Sequence, residues 1–232
     1  MPEQLGRVYL GLTDEEAPGP IPDVPEPTAA EVAFLLDTVN TALQTALTTA
    51  DVTGAYAGLR PLIDAGEGRT SDLSRDHAVL ESDSGLFSVV GGKLTEYRYM
   101  AQDVLDRAVA ARGLRAQPCR TRDLPLVGAP GNPVGTQGIT GDIPASLIAR
   151  YGAEAPDVIA SARCERPTAP VAEGIDVTRA EFEFAVTHEA ALDAGDILDR
   201  RTRIGLVASD RELAVAAAEE VVPEEVQEEE PE

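Results

Sequence analysis

Residues 86–98 read LFSVVGGKLTEYR, and this stretch predicts a strand, a tight turn and the start of a helix. Its apolar opening run has the length and composition of a buried strand. Gly91-Gly92 ends that run and lets the backbone approach a neighbouring group closely. Apolar residues then recur at helical spacing, which predicts a helix over residues 95–112. The remaining elements of the chain are arranged before and after this strand–turn–helix segment.

Lys93 directly follows the two glycines, at the predicted helix start. The N–H groups of a helix N-terminus favour negative charge, and a lysine beside them strengthens that preference. One interpretation is therefore a site for an anion or for an electron-rich ring edge. The other is an ordinary strand–helix turn with a surface lysine, and the local pattern leaves both open.

Composition restricts the classes of function. The 232 residues carry a formal charge of −22, which is unfavourable for a nucleic-acid-binding surface, so no nucleic-acid partner is expected. Two cysteines without a C-x-x-C pair and two separated histidines predict free thiols in a reducing compartment and no metal site. No signal peptide opens the chain and no apolar run reaches ~18 residues, which predicts a cytoplasmic protein, soluble or peripheral.

The first half of the chain predicts a mixture of strands and helices. Strands are expected at residues 7–13, 52–60 and 74–80, with a proline-rich loop over 14–27. Thr28 and Glu31 form a capping box that opens a helix predicted to reach about residue 50.

The second half is predicted to be helical, which makes the fold class α+β. A linker rich in proline and glycine is expected over residues 116–143, between a domain at 1–115 and an all-α domain at 144–220. Thr178 and Glu181 repeat the capping-box spacing in that second domain. Half of residues 221–232 are glutamate, and the segment predicts an acidic disordered tail.

Candidate functional residues are few. No Ser/His/Asp or Cys/His arrangement and no G-x-G-x-x-G motif occurs, so no catalytic residue is assigned. Arg60, Arg75 and Lys93 each stand at a predicted strand end or turn. An arginine fork suits a phosphate or a carboxylate, whereas the alternative is an ordinary surface ion pair with a neighbouring aspartate.

Three motifs in this order resemble one flavoprotein family. They are Gly-Leu-Arg60-Pro-Leu, Ser-Arg75-Asp-His77 and Gly91-Gly92-Lys93-Leu94-Thr95-x-Tyr97-Arg98, and they resemble the FAD-dependent glycerol-3-phosphate dehydrogenases, within the D-amino-acid-oxidase-like flavoproteins. Residues 7–14 resemble a substrate-domain strand of these enzymes, and residues 188–205, with Arg-Arg-Thr-Arg at 200–203, resemble their helical C-terminal domain. The resemblance thus covers nearly the whole chain and identifies it as the C-terminal portion of such an enzyme.

The resemblance implies roles for the basic residues and the turn. Arg60 and Arg75 would bind the phosphate or hydroxyls of glycerol 3-phosphate. Gly92, Lys93, Leu94 and Thr95 would lie at the pyrimidine end of the FAD isoalloxazine ring, with substrate contact as the alternative for Lys93. A lysine and a helix start would stabilise negative charge at that end of a reduced ring.

The resemblance also implies an activity for the complete enzyme. Glycerol 3-phosphate would be oxidised to dihydroxyacetone phosphate, with electrons passing to quinone at the inner face of the cytoplasmic membrane, and a homodimer stays open. A glycerol-3-phosphate oxidase using oxygen is one alternative, and a non-catalytic helical interaction module is another. Because the N-terminal G-x-G-x-x-G unit for the FAD pyrophosphate is missing, we expect this polypeptide alone to bind FAD poorly and to be inactive.

Overall fold

The computed structural model describes residues 3–4, 7–16, 19–60, 76–129 and 143–223. Contacts divide the chain into two units. We call Met1–Gly11, Thr28–Tyr56 and Pro125–Glu232 the helical unit, and Leu12–Pro27 with Ala57–Leu124 the hairpin unit. The described strands and helices confirm the α+β class. The predicted boundaries after residues 115 and 143 remain predictions.

The described elements have the following bounds in chain order. They are β1 (Glu3–Gln4), β2 (Arg7–Val8), α1 (Ala29–Asn40), β3 (His77–Glu81), β4 (Phe87–Gly91), α2 (Tyr97–Ala111), α3 (Ala145–Tyr151), α4 (Ala155–Ser161), α5 (Arg179–Thr187) and α6 (Ala208–Glu219). A π-helix spans Asp196–Arg201, and single 3₁₀ turns occupy Thr49–Asp51, Leu94–Glu96, Thr121–Asp123, Gly152–Glu154 and Ile204–Leu206.

The hairpin unit is built from β3, β4 and α2. The strands pair antiparallel, with His77 opposite Gly91 and Glu81 opposite Phe87. Arg112, at the end of α2, closes the far end of this arrangement, since its guanidinium pairs with Glu81 at 2.8 Å and lies 5.3 Å from the Phe87 ring centroid. No described residue of this unit is buried.

The helical unit holds the buried core of the described chain. Two clusters of buried side chains form it, the larger around Phe182, Ile197 and Leu198 and the smaller around Leu147, Val158 and Phe184. Each of these six side chains is at most 5% exposed. Burial of such apolar side chains stabilises a fold by roughly 1.5–3 kcal/mol each, so this unit carries most of the hydrophobic stabilisation among the described residues.

Several sequence predictions are confirmed. Both capping boxes form: Thr28 with Glu31 opens α1, and Thr178 with Glu181 opens α5. The predicted strand–turn–helix also forms, with β4, the two glycines and α2 in the expected order. Its neighbouring strand is β3, near the predicted position.

Three predictions are wrong. The strand expected over 7–13 is limited to Arg7–Val8, because only those residues pair with β1. The strand expected over 52–60 is extended but unpaired in the described chain, where Gly54 abuts the Leu206 carbonyl and a side chain would not fit. Helix α1 ends ten residues early, because the Asn40 amide binds the backbone N–H and C=O of Leu47 and folds the chain back.

Candidate functional site

The glycine turn is the best-defined part of the predicted site. Gly91 and Gly92 both have positive φ, 74° and 78°, which is a conformation that favours glycine. A Cβ on Gly92 would lie 2.5 Å from Met100 Sδ and 3.3 Å from the His77 Cβ. The close neighbours that require glycine here are therefore α2 and β3.

Lys93 leaves the turn in an extended conformation and precedes the 3₁₀ turn Leu94–Glu96. Its side chain is 51% exposed, and its Nζ lies 3.0 Å from Glu96 Oε1. The hydrogen bond from Lys93 lowers the pKa of Glu96, although the pair remains accessible to solvent. Lys93 is also the sole lysine in the 232-residue sequence. Its ammonium is thus positioned where an incoming anion can replace Glu96 as its partner.

Leu94 and Thr95 follow on the same exposed surface. Leu94 is 90% exposed, the highest value among the large apolar residues described, and Thr95 is also exposed. A leucine exposed to this degree is accessible to a flat apolar group. Of the four predicted cofactor-binding residues, Lys93, Leu94 and Thr95 are therefore exposed next to one another, and Gly92 is half-buried.

Of the two arginines predicted to bind substrate, the structure describes only Arg60. Arg60 lies in the extended segment before residue 61, and its Nε donates to Asp14 Oδ1 at 3.1 Å. Both side chains of that pair are at least 32% exposed. Arg75 lies outside the described residues. Arg60 and Lys93 are bound by different carboxylates, so the described contacts do not join them into one site.

Sequence reasoning missed the partners of His77. The imidazole Nε2 lies 2.9 Å from Asp103 Oδ2, and the Tyr99 ring stands edge-on to it at 5.4 Å. Asp103 and Met100 occupy the same face of α2, one turn apart, and both approach the end of β3. The available sequence signal for this contact was the spacing of Met100 and Asp103, which puts a polar residue one turn after an apolar one on the predicted helix.

The arginines at 200–203 serve the fold of the helical unit. Arg200 and Arg201 pair with Asp196 at 2.5 and 3.0 Å, and Arg201 also donates to the carbonyls of Glu189 and Ala190. Arg203 adopts a positive φ of 59° at the end of the π-helix. These contacts close the chain around the core and explain an arginine-rich motif without a ligand.

Asp196 gives this network a defined pH dependence. Hydrogen bonds from the Leu192 N–H and then from Arg200 lower the pKa of Asp196. A carboxyl whose folded pKa is lowered stabilises the fold above its unfolded value of about 3.9, and that contribution is lost as pH falls through the folded pKa. We therefore expect Asp196→Asn to be less stable than the unsubstituted chain at pH 7 and to lose less further stability on acidification.

Urea unfolding at stepped pH values below 6 measures this difference. Asp37→Asn, at an exposed position of α1, is the control and should follow the unsubstituted chain. Parallel acid profiles for Asp196→Asn and the unsubstituted chain would contradict the assignment.

The described residues also bear on metal binding and on membrane spanning. They contain no group of three or more His, Cys, Asp or Glu side chains arranged to hold a metal ion. No helix among them is both long and apolar enough to cross a membrane.

The C-terminal part of the chain matches a known protein family. Residues 119–229 match the family described as the C-terminal domain of alpha-glycerophosphate oxidase. This range includes α3 to α6 and both buried clusters of the helical unit. The helical C-terminal domain predicted from the sequence is thus present.

Individual relatives extend the match to nearly the whole chain. Glycerol-3-phosphate dehydrogenase 1 of Mycobacterium tuberculosis is 71% identical over 95% of this chain, which spans 43% of that relative. Glycerol-3-phosphate dehydrogenase of Mycobacterium leprae is 41% identical over 83%, spanning 34% of the relative, and the mitochondrial glycerol-3-phosphate dehydrogenase SDP6 of Arabidopsis thaliana is 32% identical over 94%, spanning 38%. The predicted resemblance is confirmed: the chain is related to the glycerol-3-phosphate dehydrogenases and corresponds to less than half of their length.

Proposed function

We propose that this chain is the substrate-side and C-terminal helical portion of an FAD-dependent glycerol-3-phosphate dehydrogenase. The complete enzyme oxidises sn-glycerol 3-phosphate to dihydroxyacetone phosphate and passes the electrons to quinone. Since quinone is dissolved in the membrane, the enzyme works as a peripheral protein at the inner face of the cytoplasmic membrane. The observation that carries the proposal is the exposed Lys93–Thr95 surface directly after the glycine turn, in a chain 71% identical to a protein of that name.

The turn fits the edge of a flavin ring. Met100 and His77 fill the position that a Gly92 side chain would take, and the chain continues from this glycine into the exposed Lys93 and Leu94. The apolar Leu94 side chain suits contact with a ring face, and the Lys93 ammonium suits a ring edge that gains negative charge. FAD, when bound, supplies the hydride acceptor that none of the twenty side chains provides.

Arg60 would bind phosphate by exchanging partners: the phosphate replaces Asp14, as an anion would replace Glu96 at Lys93. Its ion pair with Asp14 is exposed, and such pairs contribute only about 0–1 kcal/mol. A phosphate dianion offers a guanidinium two charge-assisted hydrogen bonds, which exceeds what one exposed carboxylate oxygen provides. Arg75, by the same motif order, is proposed as the second phosphate-binding arginine.

The exposure of the hairpin unit supports the proposal that another part of the complete enzyme covers it. None of its described residues is buried, and its apolar side chains include Leu80 at 56%, Leu86 at 65% and Leu105 at 63% exposure. A two-stranded hairpin is at best marginally stable in water without further strands or a covering layer. The part of the relatives that this chain does not match is the proposed cover.

Reconstitution tests the proposal. The 232-residue chain is purified alone and also coexpressed with the part of Mycobacterium tuberculosis glycerol-3-phosphate dehydrogenase 1 that it does not match. We expect the chain alone to be colourless and inactive, and the complex to carry a visible flavin absorbance and to reduce a quinone analogue with glycerol 3-phosphate. An active, yellow chain alone would contradict the need for the second part, and a stable but colourless complex would favour an interaction module.

Lys93 gives a second test within the reconstituted complex. Lys93→Met is expected to lower kcat/KM for glycerol 3-phosphate by roughly 10- to 100-fold, because a hydrogen bond to a charged group contributes about 1.5–3 kcal/mol. Arg115→Met is the matched control, since it removes one positive charge from the same unit at an exposed position after α2. Equal activity in the two variants would rule out the assigned role of Lys93.

A glycerol-3-phosphate oxidase is the second candidate, because the matched family takes its description from alpha-glycerophosphate oxidase. The two enzymes share substrate and cofactor and differ in what accepts the electrons. Hydrogen peroxide formed per glycerol 3-phosphate consumed, measured with and without a quinone analogue, separates them. Stoichiometric peroxide that quinone does not suppress would replace the dehydrogenase proposal with the oxidase.

A further inference from the structure

His77 and Asp103 join the two elements that flank the glycine turn. His77 is the first residue of β3 and lies opposite Gly91 in the sheet register. Asp103 lies on α2, which begins four residues after Lys93. The 2.9 Å contact between imidazole Nε2 and Asp103 Oδ2 therefore ties the strand before the turn to the helix after it.

The turn itself is enclosed by the same residues. Gly92 packs against Met100 Sδ and the His77 Cβ so closely that a methyl group would not fit without displacement. Met100 and Asp103 are one helical turn apart on α2. The imidazole, the glycine backbone and this face of α2 therefore pack together at the residue that precedes Lys93.

The hydrogen bond between His77 and Asp103 has a defined donor and acceptor. A carboxylate only accepts hydrogen bonds, so His77 donates from Nε2 to Asp103 whether the ring is neutral or protonated. His77 side-chain exposure is 12% and that of Asp103 is 19%, so solvent competes weakly for the bond. Asp103 also pairs with Arg107, Tyr99 lies edge-on to the ring, and Glu96 is the further charged group near it.

The pKa of Asp103 agrees with this geometry. It lies below its ordinary value, first because of the hydrogen bond from His77 and second because of Arg107. The carboxylate is thus kept anionic and available as an acceptor. Arg107 contacts both oxygens of the same carboxylate and therefore belongs to the network that holds Asp103 in place.

We infer that His77 is a positioning residue for the site proposed above: its bond to Asp103 holds the Gly91–Lys93 turn against α2 and so sets where the Lys93 ammonium meets its anionic ligand. This inference rests on the proposed function only for the identity of that ligand. The position of the turn is a property of the chain itself and is measured without any flavin.

The first experiment uses the full 232-residue chain and NMR. His77→Phe keeps a planar ring against Tyr99 and removes the bond to Asp103, whereas His77→Gln keeps a donor near the position of Nε2. We expect the backbone amide resonances of Gly91, Gly92 and Lys93 to shift in His77→Phe and to return towards the original positions in His77→Gln. Arg115→Gln, at an exposed position after α2 in the same unit, should leave them in place.

Lys93 offers an independent readout because it is the sole lysine. Acetylation by acetic anhydride, followed by mass spectrometry, reports the reactivity of one side-chain amine besides the N-terminus. We expect the ratio of the Lys93 rate to the N-terminal rate to change in His77→Phe and to be unchanged in Arg115→Gln. His188, the other histidine, lies in the helical unit and serves as the internal reference for imidazole resonances.

The second experiment measures kcat/KM for glycerol 3-phosphate in the reconstituted complex. We expect a loss of about tenfold in His77→Phe, most of it recovered in His77→Gln, and a change within about twofold in Arg115→Gln. Unchanged amides, Lys93 rate and kcat/KM in His77→Phe, with only a lowered melting temperature, would overturn the inference. If the unsubstituted complex binds no flavin, the proposed function fails, and the NMR and acetylation results alone decide the role of His77.

Discussion

Arg150→Met is expected to lower the free energy of unfolding of the helical unit by about 3–5 kcal/mol, because it leaves a buried carboxylate without its cation. Glu181 is 1% exposed, and its two oxygens accept from Arg150 Nε and Nη2 at 2.5 and 3.1 Å. The same carboxylate accepts from the backbone N–H and the hydroxyl of Thr178 and so caps α5. Arg150 further donates to the Asp176 carbonyl at 2.8 Å, which ties α3 to the loop before α5.

Urea unfolding followed by far-ultraviolet circular dichroism measures this effect. Arg211→Met is the matched control: its pair with Asp199 is exposed on both sides, and its loss should change stability by less than about 1 kcal/mol. Arg150→Met combined with Glu181→Met should be more stable than Arg150→Met alone, because the unpaired buried charge is then absent. A single variant no less stable than the Arg211 control would contradict this account of the pair.

Gly152→Ala is expected to lower the free energy of unfolding by about 3 kcal/mol, from backbone strain and a collision together. Gly152 has φ 57° and ψ −126°, a combination that is open essentially to glycine. A Cβ at this position would collide with the carbonyl group of Gly128, and that carbonyl also accepts the Ala153 N–H at 2.9 Å. Neither backbone can withdraw without breaking the bond between them.

Gly174→Ala separates the two contributions. Gly174 also has a positive φ, 79°, but no atom lies within 4 Å of where its Cβ would stand. Gly174→Ala should therefore lower the free energy of unfolding only by the cost of the backbone conformation, about 1–2 kcal/mol. Chemical unfolding of the two variants in parallel gives the difference, and equal losses would show that the contact with Gly128 carries no energetic weight.

The local elements of the fold could be predicted because their causes lie within a few residues. A threonine and a glutamate three residues apart specify the starts of α1 and α5, since each side chain binds the backbone of the other. Two glycines after a short apolar run specify the turn before Lys93. These signals need no knowledge of the remainder of the chain.

The incorrect predictions arose where a distant group determined the local structure. Residues 52–60 have strand-like composition, but a strand needs a partner, and composition does not reveal whether one is adjacent. Helix α1 has helical periodicity beyond its end, but the Asn40 side chain offers the backbone at Leu47 a competing set of hydrogen bonds. Local propensity is too weak to override such contacts.

For this protein, the sequence by itself determined the capping boxes, the glycine turn with Lys93 and the relation to the glycerol-3-phosphate dehydrogenases. Only the tertiary structure decided that Asp103 is the partner of His77, that Glu181 is buried against Arg150, and that Arg200 and Arg201 are bound by Asp196. Caps and turns depend on covalently adjacent atoms, whereas the partner of a charged group is whichever opposite charge the packing of the core brings within reach.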